Sequence, residues 1–326
     1  MGRMKRQWRF TFFQKMLVVS LIFLVVAQFF LPPYYRFFLT QVFIFGIFAL
    51  GYDILLGYTG LLSFGHALFF AMGSYAFINA VRLLHLNLWL SILAAIIFVA
   101  IFSAAVGFLA IRIRGVYFVI ITFIFSMVFY YIAMTDPYGL TGADDGITIT
   151  SPPIDLGFIK FSGVDPMANY YLALTMLIAS YIVCRRIVQS PFGQIIKALK
   201  ENELRTKCLG YNTSRAKLLA FTISGTFSGL SGALFAHLHA FANAFYFGLH
   251  ISADVVIWTL CGGAGTLIGP IIGTAVVTFF LDWVKTHTGL YLLFLGILLI
   301  FIVTIAPRGI MGFVTARLPR IGRYED

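Results

Sequence analysis

Charge is scarce in this sequence. Only 11% of its residues are Asp, Glu, Lys or Arg, where soluble chains carry about a quarter. The chain is 60% hydrophobic with 36 Phe, and a soluble fold of 326 residues cannot hide that much apolar surface. Cysteine is rarer still. Cys184, Cys208 and Cys261 have neither metal nor redox spacing and read as small apolar residues. No Gly-Lys pair occurs, which excludes a Walker-type phosphate loop. A paired His-Glu metal motif is missing, and so is a Ser-His-Asp set on a soluble scaffold. The composition predicts a chain that binds and passes something without doing chemistry itself, holding no cofactor or metal.

What the sequence does have is length of apolar run. Segments near 16–31, 39–56, 61–83, 88–110, 116–134, 168–188, 217–240, 250–262, 268–285 and 289–306 approach the roughly 20 residues that cross a bilayer as a helix. The expected fold is an all-α polytopic membrane protein with about 8–10 transmembrane helices. The range is open because 250–262 is short and 61–83 is interrupted by Gly, and either can dip into the membrane and return where protein covers its backbone.

The net charge of +11 reflects topology, not a nucleic-acid partner. All of the 23 Lys and Arg except Arg36, Arg82, Lys160 and Lys285 lie in 1–15, at Arg112 and Arg114, in 185–217, or in the tail after 306. Basic loops mark the cytoplasmic side. Residues 1–15 are then a cytoplasmic N-terminus without a signal-peptide cleavage site, 16–306 the transmembrane domain, and 307–326 a cytoplasmic tail. Loop 136–165 faces outward. It carries Asp136, Asp144, Asp145, Asp155 and Asp165 against Lys160 alone, and its turn residues predict irregular or weakly stranded backbone.

One block breaks the apolar pattern. "IIKALKENELRTKCLGYNTSRAK", 195–217, holds eight ionised side chains. Inserting them would cost about 2.5–3.5 kcal/mol each, so the block lies outside the bilayer. Ser190 is placed to cap a helix opening at Pro191. Ile195, Ala198, Leu199, Asn202, Thr206 and Leu209 form one helical stripe, Gly210 supplies a stop, and Asn212 or Thr213 starts the next helix. The pattern fits a short cytoplasmic helix, broken at most once, that sits in a groove of a cytoplasmic partner; a solvated connector is the other reading.

Glycine marks two further stretches. "LLGYTGLLSFGHALFFAMGSY" contains Gly57, Gly60, Gly65 and Gly73, which serve either tight packing or a broken helix beside a polar solute. In "SGTFSGLSGALFAHLHA" Gly225, Gly229 and Gly232 make a helix-packing seam. His239 lies beside it toward one end. Asp53, His66 and Asp254 are ionisable groups within apolar segments, a costly placement often linked to function. With Gly60 and His239 they are the candidate translocation path.

Three stretches resemble the permease subunits of branched-chain amino-acid ABC importers of the LivM type: "GYDILLGYTGLLSFGHALFFAMGSYAF" (51–77), "SPFGQIIKALKENELRTKCLGYNTSRAKLLAFTISGTFSGLSGALFA" (190–236) and "CGGAGTLIGPIIGTAV" (261–276). The closing "APRGIMG" (306–312) fits as well. The resemblance implies ABC-importer permease architecture in a bacterial inner membrane. It also implies a homologous second permease, two cytoplasmic ATPase subunits that carry the ATP, a periplasmic solute-binding protein, and surrounding membrane lipid. In that family the segment matching 190–214 docks on the ATPase, which points to Lys200, Glu201, Asn202, Glu203, Arg205 and Gly210. Glu203 and Gly210 match the family's acidic and glycine positions, whereas Arg205 and Thr206 replace small alanines. The cargo implied is a branched-chain amino acid. Urea, short amides and other small polar solutes are alternatives, and an ion-driven secondary transporter is the rival from another class.

Overall fold

The computed structural model describes residues 24–113, 115–155 and 160–287, with scattered positions between 293 and 312. The chain is all-α and multi-spanning. Among the described residues seven helices are long and apolar enough to cross a membrane. They are α1 (Pro33–Asp53, extended to Tyr58 by a π-helical turn, Ile54–Tyr58), α2 (His66–Leu84), α3 (Leu88–Ala110), α4 (Val116–Thr135), α5 (Pro166–Gln189), α8 (Thr213–His239) and α10 (Ile268–His287). Between them lie α6 (Pro191–Glu201), α7 (Glu203–Cys208) and α9 (Leu249–Gly262).

The apolar segment at 250–262 is therefore not a full span. Its helix has 14 residues, about 21 Å at 1.5 Å per residue, short of a hydrocarbon core of about 30 Å. The first half of the segment at 16–31 and most of that at 289–306 fall outside the described residues, as do the N-terminal 1–15, Arg114 and most of the tail.

Helices surrounded by lipid and protein have little need of an apolar face, so small residues and hydroxyls do the sorting. Helices α2 and α8 meet backbone to backbone. A Cβ on Gly73 would lie 2.1 Å from the carbonyl oxygen of Gly229, and one on Gly232 would lie 1.9 Å from that of Phe70. The other face of the seam meets α3: Gly225 abuts Ser103, and Gly229 abuts Val99. Ser74 donates to the Gly232 carbonyl at 2.8 Å, and Ser231 donates across to Ile44 of α1 at 2.7 Å. In contrast, α4 leaves Val116, Tyr117, Ile120, Ile124 and Val128 exposed, as a lipid-facing helix should.

The bundle has two distinct ends. One bears α6 and α7; the other bears loop 136–165. That loop is tied down, not free. The Asp136 carboxylate accepts from the backbone N–H groups of Leu140, Thr141 and Gly142 at 2.7, 3.0 and 2.9 Å. Partial burial raises its pKa, but these donors outweigh that and hold it below the usual carboxylate value. Trp89 donates to the Asp155 carbonyl, and Ser151 to that of His237. Two-residue strands pair antiparallel: β1 (Ile147–Thr148) with β4 (Phe241–Ala242), and β2 (Ile154–Asp155) with β3 (Lys160–Phe161).

After β4 the chain descends into the bundle without a regular helix beyond one 3-10 turn, Ala244–Phe247. Ser126, midway along α4, donates to the Phe247 carbonyl at 2.8 Å, and Tyr75, midway along α2, stacks on the Phe247 ring. Irregular backbone at this depth is tolerable because protein surrounds it. Thus α9 is a half-helix that starts inside the bundle.

Candidate functional site

The segment between α5 and α8 is built by successive caps. The Ser190 hydroxyl accepts from Gly193 N–H at 3.3 Å with Pro191 in the first turn, and Asn212 accepts from Arg215 N–H to start α8. Asn202, at φ −159°, ends α6 and caps α7 through Arg205 N–H at 2.9 Å. The helix is broken there, and the break resets the helical phase.

The stripe expected from 195 to 209 consequently does not stay on one face. Gly193, Ile196, Leu199 and Thr206 are buried against the bundle, whereas Leu209 is 69% exposed and Leu204 72%. Close packing chooses the phase of α6: a Cβ on Gly193 would lie 2.1 Å from the Val188 carbonyl oxygen. Glu201, Asn202, Arg205 and Gly210 are exposed beside the two leucines.

Besides Asn202, whose side chain caps α7, two residues of the expected docking set are engaged within the chain. Glu203 pairs with Lys217 at 2.7 Å, and the Lys217 side chain is only 8% exposed. Lys200 is itself exposed, yet its ammonium donates to the Gly57 carbonyl at 2.5 Å. Its stem lies over Gly60, where a Cβ would be 3.0 Å from the Lys200 Cγ. Gly60 has φ +76°, a conformation that glycine adopts without steric cost. Lys197 adds an ammonium 5.8 Å from the centroid of the Tyr58 ring, within cation–π range.

Beneath this contact lies Asp53. It is fully buried and its two oxygens accept from Gly265 N–H at 2.7 Å and Leu267 N–H at 3.2 Å. The loop between α9 and α10 is thus pinned to the end of α1. Gly309, from "APRGIMG", also packs on Gly263 of that loop. Residues from 51–77, 190–236, 261–276 and 306–312 therefore converge on one junction.

The other path candidates are dispersed. His66 is buried at the start of α2, with Ser63 Oγ at 3.1 Å from Nδ1 and Ser224 Oγ at 2.8 Å from Nε2. Edges of the Tyr52, Phe69 and Phe221 rings enclose it. His239 is at the far end of α8, 15 residues or about 22 Å along the helix from Ser224, the partner of His66. Its Nδ1–H donates to the Phe235 carbonyl at 3.1 Å, which leaves Nε2 to accept from the Gln41 amide at 3.0 Å. Asp254 is half-buried on α9 within electrostatic reach of Lys285. So Asp53 and Gly60 share the inner junction, His66 stands beside it, and His239 and Asp254 stand apart.

The partners Lys217, Ser224, Gln41, Gly265 and Leu267 went unread in the sequence, as did the descent at 243–248. Gly265 alone had a signal, its place in the glycine cluster "CGGAGTLIG". Among the described residues no group of three or more His, Cys, Asp or Glu is placed to hold a metal ion.

The described chain is a multi-spanning bundle whose charged segment packs on the π-helical inner end of α1. Residues 34–303 match the family described as branched-chain amino acid transport system / permease component, and the chain belongs to that family. It is 29% identical, over 86% of its length and 70% of the relative's, to the high-affinity branched-chain amino acid transport system permease protein LivM of Salmonella typhimurium. Against the LivM of Escherichia coli it is 28% identical over 94% and 76%. The ribose import permease protein RbsC of Bacillus subtilis matches at 30% identity over 41% and 43%. No solved structure matches.

Proposed function

We propose that the chain is the permease subunit of an ATP-driven importer of branched-chain amino acids in a bacterial inner membrane. The observation that carries this reading is the family match across 34–303, joined to a helical segment whose outer face leaves Leu204 and Leu209 exposed. In this reading a periplasmic binding protein delivers the solute to the end bearing loop 136–165. The solute passes between this chain and a homologous second permease. Two ATPase subunits dock on Glu201, Asn202, Leu204, Arg205 and Leu209, so that ATP binding and hydrolysis occur outside this chain. Both termini are cytoplasmic. A docking contact can drive transport only if it differs between the two states of the permease.

The test is uptake by proteoliposomes holding the four membrane-associated subunits, with the binding protein outside and ATP inside. Labelled leucine is expected to accumulate and to be competed by isoleucine and valine. The partial likeness to ribose and autoinducer 2 import permeases supports a second reading, another small polar solute on the same scaffold. Accumulation of ribose or urea with no leucine uptake would decide for it.

Sidedness has its own check. A cysteine at Asp145, exposed in the loop, is expected to react with a membrane-impermeant maleimide in intact spheroplasts. Native Cys208, exposed in α7, is expected to react only after permeabilisation. The reverse pattern would invert the topology and remove the ATPase from α6 and α7.

A further inference from the structure

We propose that Lys200 is a positioning residue that hands movement of the α6–α7 segment to the loop joining α9 and α10. The inference rests on the reading above that this segment meets the ATPase. It assigns Lys200 a role on the inward side of that contact.

The chain leaves α1 after Tyr58, so no following helical turn supplies a donor to the Gly57 carbonyl. Lys200 supplies it at 2.5 Å. An ammonium there also complements the negative end of the helix dipole. Four residues back, Asp53 lies within electrostatic reach of the same ammonium and grips Gly265 and Leu267. Gly57 leaves no room between these groups: a Cβ on it would stand 2.0 Å from the Asp53 carboxylate and 2.4 Å from Gly265 N. Gly265 itself faces both Gly57 O and the Lys200 Nζ.

A continuous chain of contacts therefore runs from Lys200 through Gly57 and Asp53 to the 263–267 loop. Its end links are hydrogen bonds, and its middle link is the close packing of the Asp53 carboxylate against Gly57. The π-helical turn at Ile54–Tyr58 is the one irregular stretch of α1, and both ends of this chain of contacts act on it. Displacing α6 thus pulls on the Gly57 carbonyl, and the rigid grip of Asp53 carries that pull to the half-helix α9.

The decisive measurement is amide hydrogen exchange of the assembled transporter in detergent or nanodisc, with and without a non-hydrolysable ATP analogue. In the wild type, nucleotide is expected to change exchange in peptides covering 260–268. Lys200→Met keeps the stem over Gly60 but removes the donor. It is expected to retain the ATPase subunits and lose that nucleotide response, while Lys200→Arg restores it. If the Lys200→Met chain is not recovered folded, Gly60→Ala displaces the Lys200 stem and provides the same comparison. A full nucleotide response in the Met or Ala variant overturns the proposal. Loss of the ATPase subunits from Lys200→Met overturns it too, by making the ammonium a docking contact. A wild-type chain that retains no ATPase subunit overturns the docking reading itself, a result that needs no variant to be seen.

Discussion

Gly232→Leu is expected to abolish recovery of folded protein. The substituted side chain would start from a Cβ only 1.9 Å from the Phe70 carbonyl oxygen, and the obstacle is backbone, which has no rotamer to change. Ordinary overpacking costs about 1–3 kcal/mol. A clash with a neighbouring helix backbone should exceed that range and reach the exceptional losses above about 4–5 kcal/mol. Helices α2 and α8 must separate, and Ser74 would lose its bond to the Gly232 carbonyl. Gly296→Leu is the internal control, because nothing lies within 4 Å of the position its Cβ would take. Size-exclusion profiles of fluorescently tagged protein should show a sharp monodisperse peak for Gly296→Leu and none for Gly232→Leu. Equal peaks would mean that the two helices are not in contact.

Leu204→Glu combined with Leu209→Glu is expected to weaken retention of the ATPase subunits by a factor of about 30 or more, the loss of about 2 kcal/mol typical of a buried anchor. Both side chains are exposed in the isolated chain. The pair therefore tests the partner contact without touching internal packing. Glu203→Lys is a less clean test of the same contact. It would set a second ammonium against Lys217, whose own side chain is nearly buried, and would disturb the joint between α7 and α8 even in the absence of a partner. Were the leucines merely solvated, their replacement would change stability and association by about 0.5 kcal/mol or less. Co-purification from detergent, followed by titration of ATPase subunit onto immobilised permease, separates the two outcomes.

Much of the local architecture was legible because it rests on short-range chemistry. Ser190, Asn212 and the charged block announced their helix boundaries, since a cap acts on amides within three residues of itself. Seven apolar runs announced spans, because bilayer thickness sets a length that one sequence window contains. What stayed hidden depended on distant partners. Asp53 reads as an unpaired acid in an apolar run until two amides more than 200 positions away meet it. Lys200 reads as one more solvated charge until Gly57 comes beneath it. The stripe ending at Leu209 failed for a different reason. Helical periodicity assumes one phase, and Asn202 resets it. The half-helix α9 was visible as a short apolar run, but its starting depth follows from contacts with Ser126 and Tyr75 on other helices.

The turn at Ile54–Tyr58 has one more consequence. A π-helical turn is an α-helix carrying a surplus residue, so α1 holds a register slip at its inner end. Expelling the surplus would advance the chain by about 1.5 Å and turn whatever follows by roughly 100°. Were it expelled, the 59–65 link would move by one such step, while the close Gly73–Gly229 contact lies on α2 and α8, outside α1.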